Sequence, residues 1–94
     1  MAKQQLCEKE VEIKNTMGLH ARPAALLVRH ANNYKAEITL QRDEDDEVDC
    51  RSLLGLLMLA AGSGTKLTLR AYGEDAELAL EAIARVFEEK FGED

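Results

Sequence analysis

The spacing of apolar residues in this 94-residue chain changes repeatedly, and this change constrains the fold more than any other feature. A spacing of two residues, typical of a strand with one buried face, occurs in segments 7–14, 36–40, 48–50 and 67–71. Apolar residues three and four apart, typical of amphipathic helices, follow the first, third and fourth of these segments. The predicted order of elements is therefore βαββαβα.

Each of the three predicted helices has a recognisable beginning. Pro23 is favoured in a first helical turn and begins a helix with the apolar stripe Ala24, Leu27, Val28 and Ala31. Ser52 is a good N-cap for a second helix over residues 53–61, which ends at Gly62-Ser63-Gly64. Glu74 or Asp75 precedes a third helix, with the core stripe Ala76, Ala79, Leu80, Ile83 and Phe87.

This order predicts a single α+β domain over residues 1–94. We expect an open-faced sandwich, in which three helices cover one face of a four-stranded antiparallel sheet. Two split βαβ units of the usual right hand produce this arrangement. The opposite face should stay wet, because it would carry polar and charged residues, namely Glu8, Glu10, Glu12, Glu37, Thr39, Thr68 and Arg70.

Charge and cysteine content narrow the classes of partner and cofactor. The formal net charge of −6 argues against nucleic-acid binding through a basic surface. Cys7 and Cys50 lack metal or redox spacing, so we expect reduced thiols, no metal and no cofactor. No apolar leader follows Met1, and no apolar run is long enough to span a bilayer. We expect a cytoplasmic protein that binds no membrane, and a monomer, since nothing in the sequence calls for an obligate oligomer.

His20 stands immediately before the first predicted helix. The unpaired N–H groups and positive end of that helix suit an anion, phosphate above all. Neutral imidazole is a nucleophile at physiological pH, and Arg22 offers a planar fork to phosphoryl oxygens. On residue types alone a plainer alternative stays open, in which His20 caps the helix beside an exposed arginine.

The second predicted helix has more apolar surface than one sheet can cover. One side carries Leu53, Leu54, Leu57 and Met58, and the other carries Leu56, Leu59 and Ala60. One side is therefore an exposed docking surface, unless the neighbouring helix covers it. Likewise, Arg22, Arg29 and Arg51 are either a basic rim that steers an acidic partner or separate solvated arginines. The acidic loop Asp43–Asp46 is a solvated connection that could repel an acidic partner.

Two motifs resemble those of a known family. Gly18-Leu19-His20-Ala21-Arg22-Pro23-Ala24-Ala25 resembles the active-site motif of the HPr phosphocarriers of the bacterial phosphoenolpyruvate:sugar phosphotransferase system. Arg51-Ser52-Leu53-Leu54-Gly55-Leu56-Leu57-Met58-Leu59 resembles the second motif of the family, in which lysine is frequent at the first position. Gly73-Glu74-Asp75-Ala76 is similar to the start of its last helix.

The resemblance implies a carrier rather than an enzyme. His20 would accept a phosphoryl group through Nδ1 from phosphorylated enzyme I, with Arg22 assisting, and pass it to the A domains of sugar permeases. Ser52 corresponds to a serine that an HPr kinase phosphorylates in some bacteria. Without the resemblance, a serine at this position indicates only a helix N-cap. Leu53, Leu54 and Leu57, with Arg51, would dock partners beside His20.

Other functions remain open at this point. The chain could serve a nitrogen-type regulatory branch that transports no sugar. It could also be a purely regulatory module that binds a transcriptional regulator through phosphorylated Ser52. A small-molecule-binding domain of similar topology has no Gly-rich phosphate loop to support it.

Overall fold

A computed structural model describes residues 4–93 and has the predicted order of elements, followed by one additional 3-10 turn. The strands are β1 (Gln5–Glu12), β2 (Glu37–Gln41), β3 (Val48–Asp49) and β4 (Lys66–Gly73). The helices are α1 (Ala21–Ala31), α2 (Leu53–Met58) and α3 (Ala76–Glu88), and the 3-10 turn is Lys90–Gly92. No helix within residues 4–93 is long and apolar enough to cross a membrane.

The four strands form one antiparallel sheet in the order β1-β4-β2-β3. The central strand β4 pairs with β1 along its whole length, from Gln5 opposite Gly73 to Glu12 opposite Lys66. The predicted hairpin between the second and third strands is confirmed, although β3 has only two residues. The α+β open-faced fold expected from the alternating periods is thus confirmed.

One face of the sheet supports the core and the other stays polar. Leu67, Leu69 and Ala71 of β4 are buried, as are Ile38 and Leu40 of β2. These residues pack with the inward stripes of the helices. On the opposite face, the guanidinium of Arg70 donates to Glu8 Oε2 (2.8 Å) and Gln41 Oε1 (2.6 Å) across three strands. The period of two therefore sorted the side chains correctly between the two faces.

Helix α2 is shorter than predicted, because it ends at Met58 instead of residue 61. The chain leaves the helix through Ala60, which has a φ of +51°. Arg42 Nη1 donates to the carbonyl oxygens of Leu59 (3.0 Å) and Ala60 (3.1 Å), and so satisfies groups at the helix end. The apolar pattern continues past this end because Leu59 and Ala61 are buried by neighbouring segments.

Candidate functional site

The loop that carries His20 is held against the segment following α2. Leu19 N donates to Ala61 O at 2.9 Å, and the buried Asn15 amide donates to Gly18 O at 2.7 Å. Gly18 has a φ of +73°, and a Cβ there would lie 2.7 Å from Ala61 O. Only glycine permits this approach without a backbone shift. The turn that precedes His20 is thus packed closely against the segment that follows α2.

His20 occupies the N-cap position of α1 with an extended backbone, and Ala24 N donates to its carbonyl oxygen at 3.0 Å. The part of the plainer alternative that places His20 at the N-cap beside an exposed arginine therefore agrees with the structure, but the side chain itself makes no capping hydrogen bond. The ring instead places Nε2 3.0 Å from each carboxylate oxygen of Glu93. The nitrogen engaged within the protein is therefore Nε2, not Nδ1.

Arg22 lies exposed in the first turn of α1, beside the buried Pro23. Within residues 4–93 its guanidinium forms no ion pair. The first turn contains no acidic residue that would offset the positive helix end, and its N–H groups have no acceptor within the helix. The surroundings of His20 can therefore receive an anion through backbone and guanidinium donors.

Ser52 is the N-cap of α2, as predicted, since its Oγ accepts from Gly55 N at 3.0 Å. The preceding residue, Arg51, donates through Nη2 to Ala31 O (2.7 Å) and to Tyr34 O, at the end of α1. Its guanidinium thus ties α2 to α1 through backbone carbonyls. A docking role for Arg51 stays a prediction. Among the described residues, no hydrogen bond or ion pair joins Arg22 or Arg29 to Arg51, so the proposed basic rim also stays a prediction.

Two contacts show that α1 and α2 run antiparallel. Leu19, before α1, is bonded to Ala61, after α2, whereas Arg51, before α2, is bonded to the end of α1. Since the eleven residues of α1 span about 16 Å, Ser52 and His20 lie at opposite ends of the helix pair. Ser52 therefore lies towards the end of α1 that is away from the His20 ring.

The excess apolar surface of α2 is exposed on one side. Leu54 is 70% exposed, and Leu53, Leu57 and Met58 are exposed with it, while Leu56 is fully buried. The alternative that a neighbouring helix covers this side is wrong. Met17, three residues before His20, is also exposed, which the sequence pattern did not single out. We refer to Leu53, Leu54, Leu57 and Met58 as the α2 patch.

Glu93 was missed by sequence reasoning. It follows the third helix as one of several acidic residues, and only the turn at Lys90–Gly92 directs it towards the His20 loop. Elsewhere in residues 4–93, no three His, Cys, Asp or Glu side chains gather as a metal site. The described surface thus places a carboxylate beside the His20 imidazole.

Comparison with known proteins agrees with this geometry. The family model of the PTS HPr component phosphorylation site matches residues 7–89. The HPr-like protein Crh of Halalkalibacterium halodurans is 42% identical over 85 residues, covering 90% of this chain and 100% of the relative. The phosphocarrier protein NPr of Shewanella violacea is 44% identical over 86 residues, covering 92% and 93%, respectively.

Two solved structures of HPr from Thermoanaerobacter tengcongensis are also similar. HPr-C-His has a TM-score of 0.87 and 39% identity, with 94% of this chain and 98% of that chain covered. An HPr dimer has a TM-score of 0.73 and 40% identity, with coverage of 88% and 94%. His20 and Arg22 lie inside the range matched by the family model. This chain belongs to the HPr family of the phosphotransferase system, whose members are phosphocarriers and not enzymes.

Proposed function

We propose that His20 accepts a phosphoryl group on Nδ1 from phosphorylated enzyme I and passes it to the A domains of sugar permeases. The observation that carries this proposal is the His20 ring itself. It stands at the positive end of α1, its side chain is 33% exposed, and it makes no capping hydrogen bond. A carrier of this kind would act as a cytoplasmic monomer, with no metal or cofactor.

Transfer requires a nucleophile and donors for the phosphoryl oxygens. The Nδ1 lone pair would form the N–P bond while the bond from phosphorus to the donor atom breaks and its electron pair returns to the donor. Arg22 and the first-turn N–H groups of α1 would stabilise the charge on the equatorial oxygens. Because few covalent changes are involved, positioning and electrostatics supply most of the catalysis.

The test uses phosphoenolpyruvate, enzyme I and the purified chain. We expect an acid-labile, base-stable phosphate on the protein, which His20→Ala abolishes. His30→Ala is the matched control, because His30 lies on α1 away from the first turn and should leave labelling intact. Labelling that persists in His20→Ala, or that disappears in His30→Ala, would contradict the assignment.

The α2 patch is proposed as the docking surface for enzyme I. Leu54 and Leu78 are similarly exposed, at 70% and 65%, but Leu78 lies on α3. Placing a charge in an apolar interface weakens binding through desolvation. We expect Leu54→Asp to raise the KM of enzyme I for the carrier about tenfold or more, while Leu78→Asp has little effect. Equal effects of the two changes would refute this location.

Ser52 is proposed as a regulatory phosphorylation site for an HPr kinase. A phosphate there would add nearly two negative charges beside Leu53 and still accept from the helix N–H groups. Ser52→Asp should therefore slow loading of His20, whereas Ser63→Asp, in the exposed turn after α2, should not. Unchanged loading of Ser52→Asp would count against this regulation of loading.

A second candidate is a carrier for a nitrogen-type regulatory branch, favoured by the 44% identity to NPr of Shewanella violacea. The phosphorylated chain should be offered to sugar-specific and nitrogen-type A domains in parallel. Faster transfer to the sugar-specific domain supports the first candidate, and the reverse supports the second. Normal cellular function of His20→Ala would instead favour the purely regulatory role.

A further inference from the structure

We infer that Glu93 is a positioning residue for phosphoryl acceptance, holding the His20 ring through Nε2 so that Nδ1 presents its lone pair outward. This inference rests on the proposed function and extends it beyond His20 and Arg22. Both carboxylate oxygens lie 3.0 Å from Nε2. An ionised carboxylate only accepts hydrogen bonds, so the Nε2 atom it faces must carry the proton. In the neutral ring the lone pair then resides on Nδ1.

The position of Glu93 is fixed by the turn that follows α3. Lys90 and Phe91 both have a φ of +56°, a left-handed conformation that is unfavourable for residues with a side chain, and Gly92 has a φ of +74°. Phe91 is nevertheless buried, and its ring packs edge-on against Phe87 with centroids 5.0 Å apart. The packing of Phe91 stabilises the strained turn, and the turn directs the chain back towards His20.

A second contact ties the carboxylate to the loop of the site. The Asn15 amide Nδ2 donates to Glu93 Oε1 at 2.8 Å and to Gly18 O at 2.7 Å. Asn15 is fully buried, and its Oδ1 has no hydrogen-bond partner in the part of the chain that the structure describes. The two hydrogen bonds of the Asn15 amide join the Glu93 carboxylate to the backbone of the loop that carries His20. Asn15 holds the group that orients the ring.

The carboxylate would also act during the transfer. When the Nδ1 lone pair forms the N–P bond, the ring retains its Nε2 proton and gains positive charge, while the donor atom recovers the electron pair of the broken bond. Glu93 lies on the opposite side of the ring and compensates that charge. Its side chain is 19% exposed, so water screens this interaction less than it would a surface pair. Release of the phosphoryl group reverses the same changes.

The experiment separates the charge of Glu93 from its hydrogen bond. Glu93→Gln keeps an acceptor oxygen for Nε2–H and removes the charge, whereas Glu93→Ala removes both. Glu89→Ala is the matched control, since Glu89 is an exposed residue between α3 and the turn. We expect loading by enzyme I to fall about tenfold in Glu93→Ala, to a smaller extent in Glu93→Gln, and not in Glu89→Ala.

Nitrogen-15 NMR of the His20 ring supplies a readout that does not depend on enzyme I. In the neutral ring, the wild type and Glu93→Gln should show the Nε2–H tautomer alone, and Glu93→Ala a mixture of tautomers with a more mobile ring. Wild-type loading or an unchanged ring spectrum in Glu93→Ala would overturn the inference. If the wild type itself takes no phosphate, the proposed function fails, and the spectra still decide whether Glu93 holds the ring. Should Glu93→Ala fail to fold, the loading rate of Glu93→Gln decides, and loading as fast as that of the wild type would overturn the inference.

Discussion

Gly18→Ala tests whether the packing beneath His20 depends on a residue without a side chain. Two separate costs are expected. The φ of +73° is unfavourable for alanine by about 1–2 kcal/mol. The new Cβ would also lie 2.7 Å from Ala61 O and 2.9 Å from Gly62 Cα, and both are backbone atoms that cannot move independently. Relieving such an overlap typically costs about 1–3 kcal/mol.

Two other glycines in the same region separate these contributions. Gly64 has a φ of +88° with open space around its Cβ position, and Gly62 has open space without a positive φ. We expect the free energy of unfolding to fall by about 3 kcal/mol in Gly18→Ala and by about 1 kcal/mol in Gly64→Ala. Gly62→Ala should stay within about 0.5 kcal/mol of the wild type.

Urea denaturation followed by circular dichroism measures all three variants under one condition. The loading rate of His20 should also fall in Gly18→Ala, because the overlap displaces the carbonyl that accepts from Leu19 N. A loss of stability in Gly18→Ala no larger than that in Gly64→Ala would refute the reasoning. It would mean that the Ala61 carbonyl does not constrain the loop.

Three further predictions concern single side chains. Hydrogen bonding by the N–H of Lys35 holds the pKa of Asp75 below its ordinary 3.8. The stability lost in Asp75→Ala should therefore be constant above about pH 5 and shrink as acid protonates the wild type, measured by urea midpoints. Burial raises the pKa of Cys50 to about 12, so mass spectrometry should find iodoacetamide on Cys7 first, and on Cys50 only after unfolding. Arg51→Ala should cost about 2 kcal/mol of unfolding free energy and Arg51→Lys about half that, because lysine lacks the planar fork.

The elements that the sequence predicted well are those with a local signal. Strand faces follow from a period of two, and the Ser52 cap and the Pro23 start act within one helical turn. The end of α2 was missed because its determinants are distant. Arg42 reaches it from the connection between β2 and β3. An apolar pattern cannot distinguish a helical residue from one that is buried by another segment, as Leu59 is.

Glu93 could not be predicted for a related reason. Neither its residue type nor its spacing separates it from Glu88 and Glu89, which precede it. Its position depends on consecutive left-handed residues, of which only Gly92 gives a sequence signal. The sequence pattern does not distinguish Phe91 from the apolar residues of α3, although Phe91 lies in the turn after the helix and holds that turn in place. The residue that orients the nucleophile is thus specified by tertiary packing.

The antiparallel arrangement of α1 and α2 limits how Ser52 can influence His20. Ser52 lies towards the end of α1 opposite to His20, and α1 is about 16 Å long, which exceeds the screening length of about 8 Å at physiological salt. A phosphate on Ser52 therefore has little direct effect on the charge around the ring. It does lie next to Leu53, at the start of the α2 patch. Slower loading of Ser52→Asp with an unchanged His20 ring spectrum is then the signature of impaired docking, whereas a changed spectrum would require a route through the Leu19–Ala61 hydrogen bond at the far end of α2.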